Sequence, residues 1–282
     1  SAILSGMVLT AVIQSSSATI LMTIGFVSAG LITFTQSLGV IIGTSIGSTS
    51  TGWIVSIVGF QISMGSLALP LIGIGVFLKL FIHGKLANLG SFLTGFGMLF
   101  LGISVLQDGM ADFSNIIDFS AINGDRFHHL LLLAAIGIVM TIITQSSSVA
   151  VAITLTALYS GAINFDQGAA LVIGQNIGTT FKAIIAAIGA SHAAKRTSVA
   201  HILVNLFTGF IALAFFPVLT SAVFTLTDWM EISDLTIALA LFYTLFNVIG
   251  VLILIPLMRP FEKLISRIVP EKGNPLTIYL DP

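Results

Sequence analysis

The chain has 282 residues, 56% of them hydrophobic and 7% charged, with a mean hydropathy of +1.10. Soluble domains carry about 25% charged residues, so this chain takes lipid as its solvent and a large soluble core is excluded. Ten basic residues against eleven acidic ones leave a net charge of -1, which gives no basic field for nucleic acid, and the absence of cysteine removes disulfides, thiolate nucleophiles and Cys-ligated metals together.

The sequence opens at Ser1 without a Met or a readable signal sequence, so its start reads as trimmed or processed. Two apolar arms flank Gln14-Ser15-Ser16-Ser17. Each has about 12 to 14 residues, where a helix needs about 20 to cross the hydrocarbon. They predict a re-entrant hairpin over residues 1–30 with its tip at mid-membrane depth. Residues 36–60 are long enough to cross once, with Thr35 as a plausible N-cap. The run Gly43-Thr44-Ser45-Ile46-Gly47-Ser48-Thr49 predicts a break in the middle. Ordinary spans follow at about 66–83 and 87–107, then a loop over 108–125 with Asp108, Asp112, Asp118 and Asp125.

The first pattern then returns. Gln145-Ser146-Ser147-Ser148 forms the tip of a second hairpin over 126–161, Asp166 stands as the N-cap of a segment over 167–192, and Gly174-Gln175-Asn176-Ile177-Gly178-Thr179-Thr180 interrupts it. Spans at about 197–219 and 235–257 and a tail complete the chain. The expected division is a first repeat over 1–60, connecting scaffold helices and an outer loop over 61–125, a second repeat over 126–192, and scaffold helices with a cytoplasmic tail over 193–282.

Sliding the chain by 131 positions aligns residues 9–60 with 140–191 without a gap, and 17 of these 52 positions are identical. The identities include Thr10/Thr141, Gly30/Gly161, Gln36/Gln167, Gly43/Gly174 and Gly47/Gly178. Leucines coincide by chance between apolar helices; this set of glycines and polar residues does not. The offset also predicts an upstream counterpart of residues 89–109.

Lys and Arg in short loops mark the cytoplasmic side. They fall at Lys79 and Lys85, at Lys195 and Arg196, and at Arg259, Lys263, Arg267 and Lys272. Walking back from these loops, the first hairpin enters from the cytoplasm and the second from the opposite face. The fold class expected is therefore all-α integral membrane, with two inverted-topology repeats, each a re-entrant helical hairpin and a broken transmembrane helix, plus scaffold helices.

Non-helical backbone at membrane depth is tolerated where a cavity or protein satisfies it. The serine amides after each glutamine open a new helix, and such N-termini attract anions. The hydroxyls of Ser15, Ser16, Ser17, Ser146, Ser147 and Ser148 add donors without bringing charge into the membrane, so the two tips are expected to wrap a tetrahedral anion such as phosphate. No Asp or Glu precedes residue 108. Any cation bound by the first repeat must use neutral oxygens, from Gln14, Thr44, Ser45, Ser48 and Thr49. Gln145, Gln175, Asn176, Thr179 and Thr180 are the corresponding set in the second, and such cages suit sodium. Lys182 is an intramembrane cation whose repeat partner is Thr51; it reads either as functional or as a side chain reaching for the interface. His201 with Asn205, and Tyr243 with Asn247, read as polar ties between scaffold helices.

The paired QSSS sequences, each followed some thirty residues later by a Gly-x-Asn-Ile-Gly-Thr-like break, resemble the type II sodium/phosphate cotransporters and their bacterial relatives. The resemblance covers about residues 1–60 and 87–257. It implies sodium-driven symport of inorganic phosphate at the plasma membrane, with the tip serines holding phosphate, the glutamines and break residues holding sodium, and no cofactor besides that coupling ion. Ser45 stands where the family places the Asn that Asn176 matches. Other readings keep the fold with sulfate, arsenate or a carboxylate as cargo, or make the chain a channel or structural membrane protein. An enzyme with a nucleophilic serine and His201 as its base is disfavoured, because every tip serine is duplicated and His201 is not.

Overall fold

The computed structural model describes residues 1–61, 65–113, 124 and 126–270. Among these the secondary structure is helical, without strands. The helices are α1 (Ala2–Ile13), α2 (Ser16–Ser28), α3 (Phe34–Gly47), α4 (Ser50–Ile54), followed by a π-helical stretch over Val55–Gln61, then α5 (Gly65–Phe81), α6 (Lys85–Phe113), α7 (Phe127–Thr144), α8 (Ser147–Tyr159), α9 (Phe165–Gly178), α10 (Thr180–Ala187), α11 (His192–Ala214), α12 (Phe216–Trp229) and α13 (Leu235–Ile268). Six stretches among the described residues have the length and apolarity to cross a membrane: Phe34–Phe60, Lys85–Gly109, Phe127–Thr144, Phe165–Ala187, His192–Ala214 and Leu235–Ile268.

The helix bounds carry the sequence offset. Adding 131 to the ends of α2 gives the ends of α8, the same shift converts α3 into α9, and it carries the C-terminus of α1 onto that of α7.

Two expectations are corrected. The span at 66–83 is α5, whose 17 residues carry Pro70; at 1.5 Å per residue it is about 26 Å long, at the lower end of spanning length. The leading arm of the second hairpin, α7, has 18 residues and reaches span length. The span at 197–219 is divided, because Pro217 opens α12: a proline lacks the N–H that an interior turn requires but fits the first turn of a new helix. Most of the expected outer loop, with Asp118 and Asp125, and the tail bearing Lys272 lie outside the described residues.

The N-caps also sit two residues earlier than expected. Thr33 caps α3: its hydroxyl accepts from Gln36 N–H at 3.2 Å, while Gln36 Oε1 accepts from Thr33 N–H at 2.8 Å. Asn164 and Gln167 make the same reciprocal pair at 2.9 and 2.7 Å before α9. Thr33 and Asn164 win because each has a glutamine three positions on, which closes a capping box. Thr35 instead donates to Glu262 at 2.7 Å.

Two compact units divide the chain. One holds Ser1–Ser48, Thr179–Ile211 and the chain from Phe246. In it α1, α2 and α3 pack together and α10 lies on α2, around a core that includes Ile20, Ile24, Leu38, Ile41, Ala183 and Val204. The other holds Thr49–Gly178 and Ala212–Leu245. In it α7 and α8 pack on α9, α8 also meets α4 and α6, and the Phe165 ring stands 4.7 Å from Phe224 and 6.1 Å from Phe242. Each unit thus combines one hairpin and the helix after it with the short trailing helix of the other repeat.

Candidate functional site

The two tips are built alike. At the first, Gln14 ends α1 in the left-handed region at φ 57°, its N–H donating to Thr10 O and its Nε2 to Ala11 O at 2.5 Å. Ser15 is then extended and caps α2, its hydroxyl accepting from Ala18 N–H at 3.2 Å. At the second, Gln145 has φ 54° and the Ser146 hydroxyl accepts from Val149 N–H at 3.3 Å. One left-handed residue followed by one extended capping residue stops one helix and starts the next.

The structure thereby divides the expected phosphate residues into two kinds. Ser15 and Ser146 are N-caps whose oxygens serve their own helices. Ser16, Ser17, Ser147 and Ser148 lie in the first turn, where the leading amides fall outside the helical ladder. Ser16 is buried, the other three are half-buried, Gln14 is half-buried and Gln145 is exposed. A contact the sequence does not announce closes each tip. Thr10 donates to Thr19 Oγ1 at 3.1 Å, tying the arms of the first hairpin. Ser148 Oγ is hydrogen-bonded to Thr51 Oγ1 at 3.2 Å, tying α8 to α4.

The seven-residue interruptions are narrower than the sequence suggests. Residues 43–47 belong to α3 and 174–178 to α9, and only Ser48, Thr49 and Thr179 separate these helices from α4 and α10, with φ and ψ close to helical values. Gly43, Gly47, Gly174 and Gly178 therefore do not unwind the chain; they let two helices touch. A Cβ on Gly43 would strike Ile3 O, and one on Gly47 would strike Met7 O. In the second repeat a Cβ on Gly174 would strike Ala134 O, and one on Gly178 would come to 2.8 Å from Thr141 Cβ. Gly6 and Gly137 make the reciprocal approaches to Val40 O and Leu171 O. The spacing of four between Gly43 and Gly47, and between Gly174 and Gly178, is the signal that finds this seam.

The expected sodium residues line these helices as neutral oxygens. Thr44 donates to Ile41 O at 2.7 Å and Ser48 to Ser45 O at 2.9 Å. Ser45 is buried with no partner for its Oγ. Gln175 is gripped from one side: Nε2 donates to Thr154 Oγ1 at 2.7 Å and to Ala150 O at 3.1 Å, Thr141 Oγ1 donates to its carbonyl at 3.3 Å, and its Oε1 is buried without a partner. Thr49, Asn176, Thr179 and Thr180 are buried as well. Among the described residues no group of three or more His, Cys, Asp or Glu converges. His201 is buried in α11, as is Asn205, whose Nδ2 donates to His201 O at 3.2 Å.

The family model described as Na+/Pi-cotransporter matches residues 1–108 and 121–250. Among curated proteins, the chain is 33% identical over 279 residues to Uncharacterized protein YqeW of Bacillus subtilis (strain 168), spanning 96% of this chain and 85% of that one. It is 30% identical over 272 residues to the protein named Putative inorganic phosphate export protein YjbB of Salmonella typhimurium, and 28% identical over 273 residues to its Escherichia coli K12 counterpart. The chain spans about half the length of these two, 48% in each case. No solved structure matches it. The glutamine-serine tips, the glycine seams and a family model covering both repeats agree: this chain is a multi-pass membrane protein that belongs to the Na+/Pi-cotransporter family.

Proposed function

We propose that the chain carries inorganic phosphate across the membrane by sodium-coupled symport, with its two repeats inserted in opposite orientations. The observation that carries this reading is the repeated tip: an anion-attracting helix start with hydroxyls in its first turn, made twice by the same residues in a family described by sodium and phosphate. Ser16, Ser17, Ser147 and Ser148 are the phosphate donors, with Ser15 and Ser146 holding their helices in place. Neutral oxygens of Gln14, Thr44, Ser45, Ser48 and Thr49, and of Gln145, Gln175, Asn176, Thr179 and Thr180, hold sodium. Lys79, Lys85, Lys195, Arg196 and the basic C-terminal region face the cytoplasm.

Sodium supplies the compensation that the helix starts alone do not. Phosphate brings one or two negative charges to membrane depth, and each helix N-terminus offsets about half a charge. Linkage then requires sodium to tighten phosphate binding by the same factor as phosphate tightens sodium binding. The YjbB relatives have export in their names, and a symporter runs in either direction with the imposed gradients, so both directions belong in the assay. Purified protein in vesicles should take up radiolabelled phosphate on an inward sodium gradient and release it on an outward one. Ser16→Ala and Ser147→Ala should each lower apparent phosphate affinity roughly tenfold or more, the loss of one hydrogen bond to a charged group. Uptake that ignores sodium removes the coupling; wild-type affinity in both variants removes phosphate from the tips.

A further inference from the structure

We propose that the Lys182 ammonium is a fixed counter-charge for the anion at the first hairpin tip. It takes at that tip the place that the Thr51 hydroxyl holds at the second. The inference rests on the reading of the tips as phosphate sites and adds a charged group from α10, the helix that packs on α2.

The repeat offset carries the argument. Adding 131 turns Thr51 into Lys182 and Ser17 into Ser148. Thr51, on α4, is hydrogen-bonded to Ser148 in the first turn of α8 at 3.2 Å. The corresponding helices of the other unit, α10 and α2, also pack together, and Ala183, next to Lys182, belongs to the same apolar cluster as Ile20 and Ile24 of α2. By the repeat relation, the residue of α2 that corresponds to Ser148, the partner of Thr51, is Ser17. A lysine nitrogen lies three bonds further from its Cα than a threonine hydroxyl. Where Thr51 ends on a tip serine, a lysine at the corresponding position is long enough to reach past one, to an anion held at that tip.

The chemistry agrees. Lys182 is half-buried on a helix inside a stretch of membrane-crossing length, and no carboxylate or other polar partner engages it among the described residues. Ionisable groups at such depth are costly and mark ion pathways. An ammonium has three rotatable donors and serves phosphate as a point charge, without needing the planar fork of an arginine. The alternative is a side chain that extends to the headgroup region and takes no part in anion binding.

The test measures inorganic phosphate affinity by calorimetry at saturating sodium, and sodium-driven phosphate uptake in vesicles, for wild type, Lys182→Gln and Lys182→Arg. Removing the charge should weaken apparent phosphate affinity about tenfold or more, and arginine should restore it to within about threefold. Equal affinity in Lys182→Gln and wild type overturns the role of Lys182 and leaves the phosphate reading intact. Failure of the wild type to bind phosphate overturns that reading and this inference with it. A second measurement needs no variant: reductive methylation of Lys182, read by mass spectrometry, should be slowed by phosphate while Lys195 is modified at an unchanged rate. Absence of protection at Lys182 overturns the proposal even if Lys182→Gln does not fold.

Discussion

Adding a single methyl group at Gly174 should destabilise the protein more than most larger changes on its lipid-facing surface. A Cβ there overlaps the Ala134 carbonyl and its carbon and Cα, all of them backbone, so no side chain can rotate away and α7 must lift off α9. Overpacking in a tight core costs about 1–3 kcal/mol even when side chains can give. With backbone on the far side, and with the Thr141 to Gln175 carbonyl bond stretched by the same displacement, the expected cost is at the upper end, about 3 kcal/mol. At about 2–4 °C per kcal/mol, Gly174→Ala should lower the unfolding temperature by roughly 6–12 °C. Gly25 is the control: it lies inside α2, and a Cβ there meets nothing within 4 Å. Gly25→Ala should therefore be neutral or gain up to about 1 kcal/mol from helix propensity. The assay is thermal unfolding in detergent followed by size-exclusion recovery at a fixed heating time, which compares the two variants even if unfolding is irreversible. Gly174→Ala with wild-type thermostability, or Gly25→Ala falling as far, would refute the seam.

The capping assignment is tested by a pair of substitutions: Thr33→Ala should cost about 1 kcal/mol through the lost box, while Thr35→Ala, an exposed residue whose hydroxyl meets Glu262, should cost less than half of that. Equal losses in the same thermal assay would return the cap to Thr35. Ser198 Oγ is buried in α11 without a partner, so Ser198→Ala should be neutral or raise stability by about 1 kcal/mol, and a lowered unfolding temperature would show that this hydroxyl is engaged.

The turns at the two tips were legible because a polar run between apolar stretches has few alternatives in lipid, and α1 with α2 and α7 with α8 turn at the expected glutamines, although α7 is longer than the arm expected. The segments following them were legible in extent but not in detail. Gly43 and Gly174 sit among Thr, Ser, Asn and Gln, a composition that serves unwound backbone and close helix contact equally well. Only the position of α1 against α3, and of α7 against α9, decides between them. Thr35 and Asp166 are good capping residues in isolation, and the competing signal was the glutamine three positions after Thr33 and Asn164. The ties from Thr10 to Thr19 and from Thr51 to Ser148 join residues whose spacing carries no pattern, so they became visible only with the helices packed.

Two copies of one unit within a chain separate what the fold demands from what the chemistry uses. Positions that are identical in both copies are largely those whose geometry is demanded twice: Gln14 and Gln145 at the left-handed turns, Gln36 and Gln167 in the capping boxes, and the glycine pairs in the seams. Polar positions that differ between the copies are not fixed by these constraints. Thr44 is matched by Gln175, Ser45 by Asn176 and Thr51 by Lys182, the first two pairs in the last turns of α3 and α9 and the third in the short helices that follow. An amide in place of a hydroxyl extends a neutral oxygen further from the backbone, and an ammonium in place of a hydroxyl adds a whole charge. If the tips hold phosphate and Lys182 acts as proposed, the unit with the first tip meets it with fixed charge and the short hydroxyl oxygens of Thr44 and Ser45, and the unit with the second tip with the longer amide oxygens of Gln175 and Asn176 and no fixed charge at the Thr51 position. Sodium dependence should then reside more in the unit with the second tip than in the unit with the first, because a unit that supplies its own cation has less charge left for a coupling ion to balance.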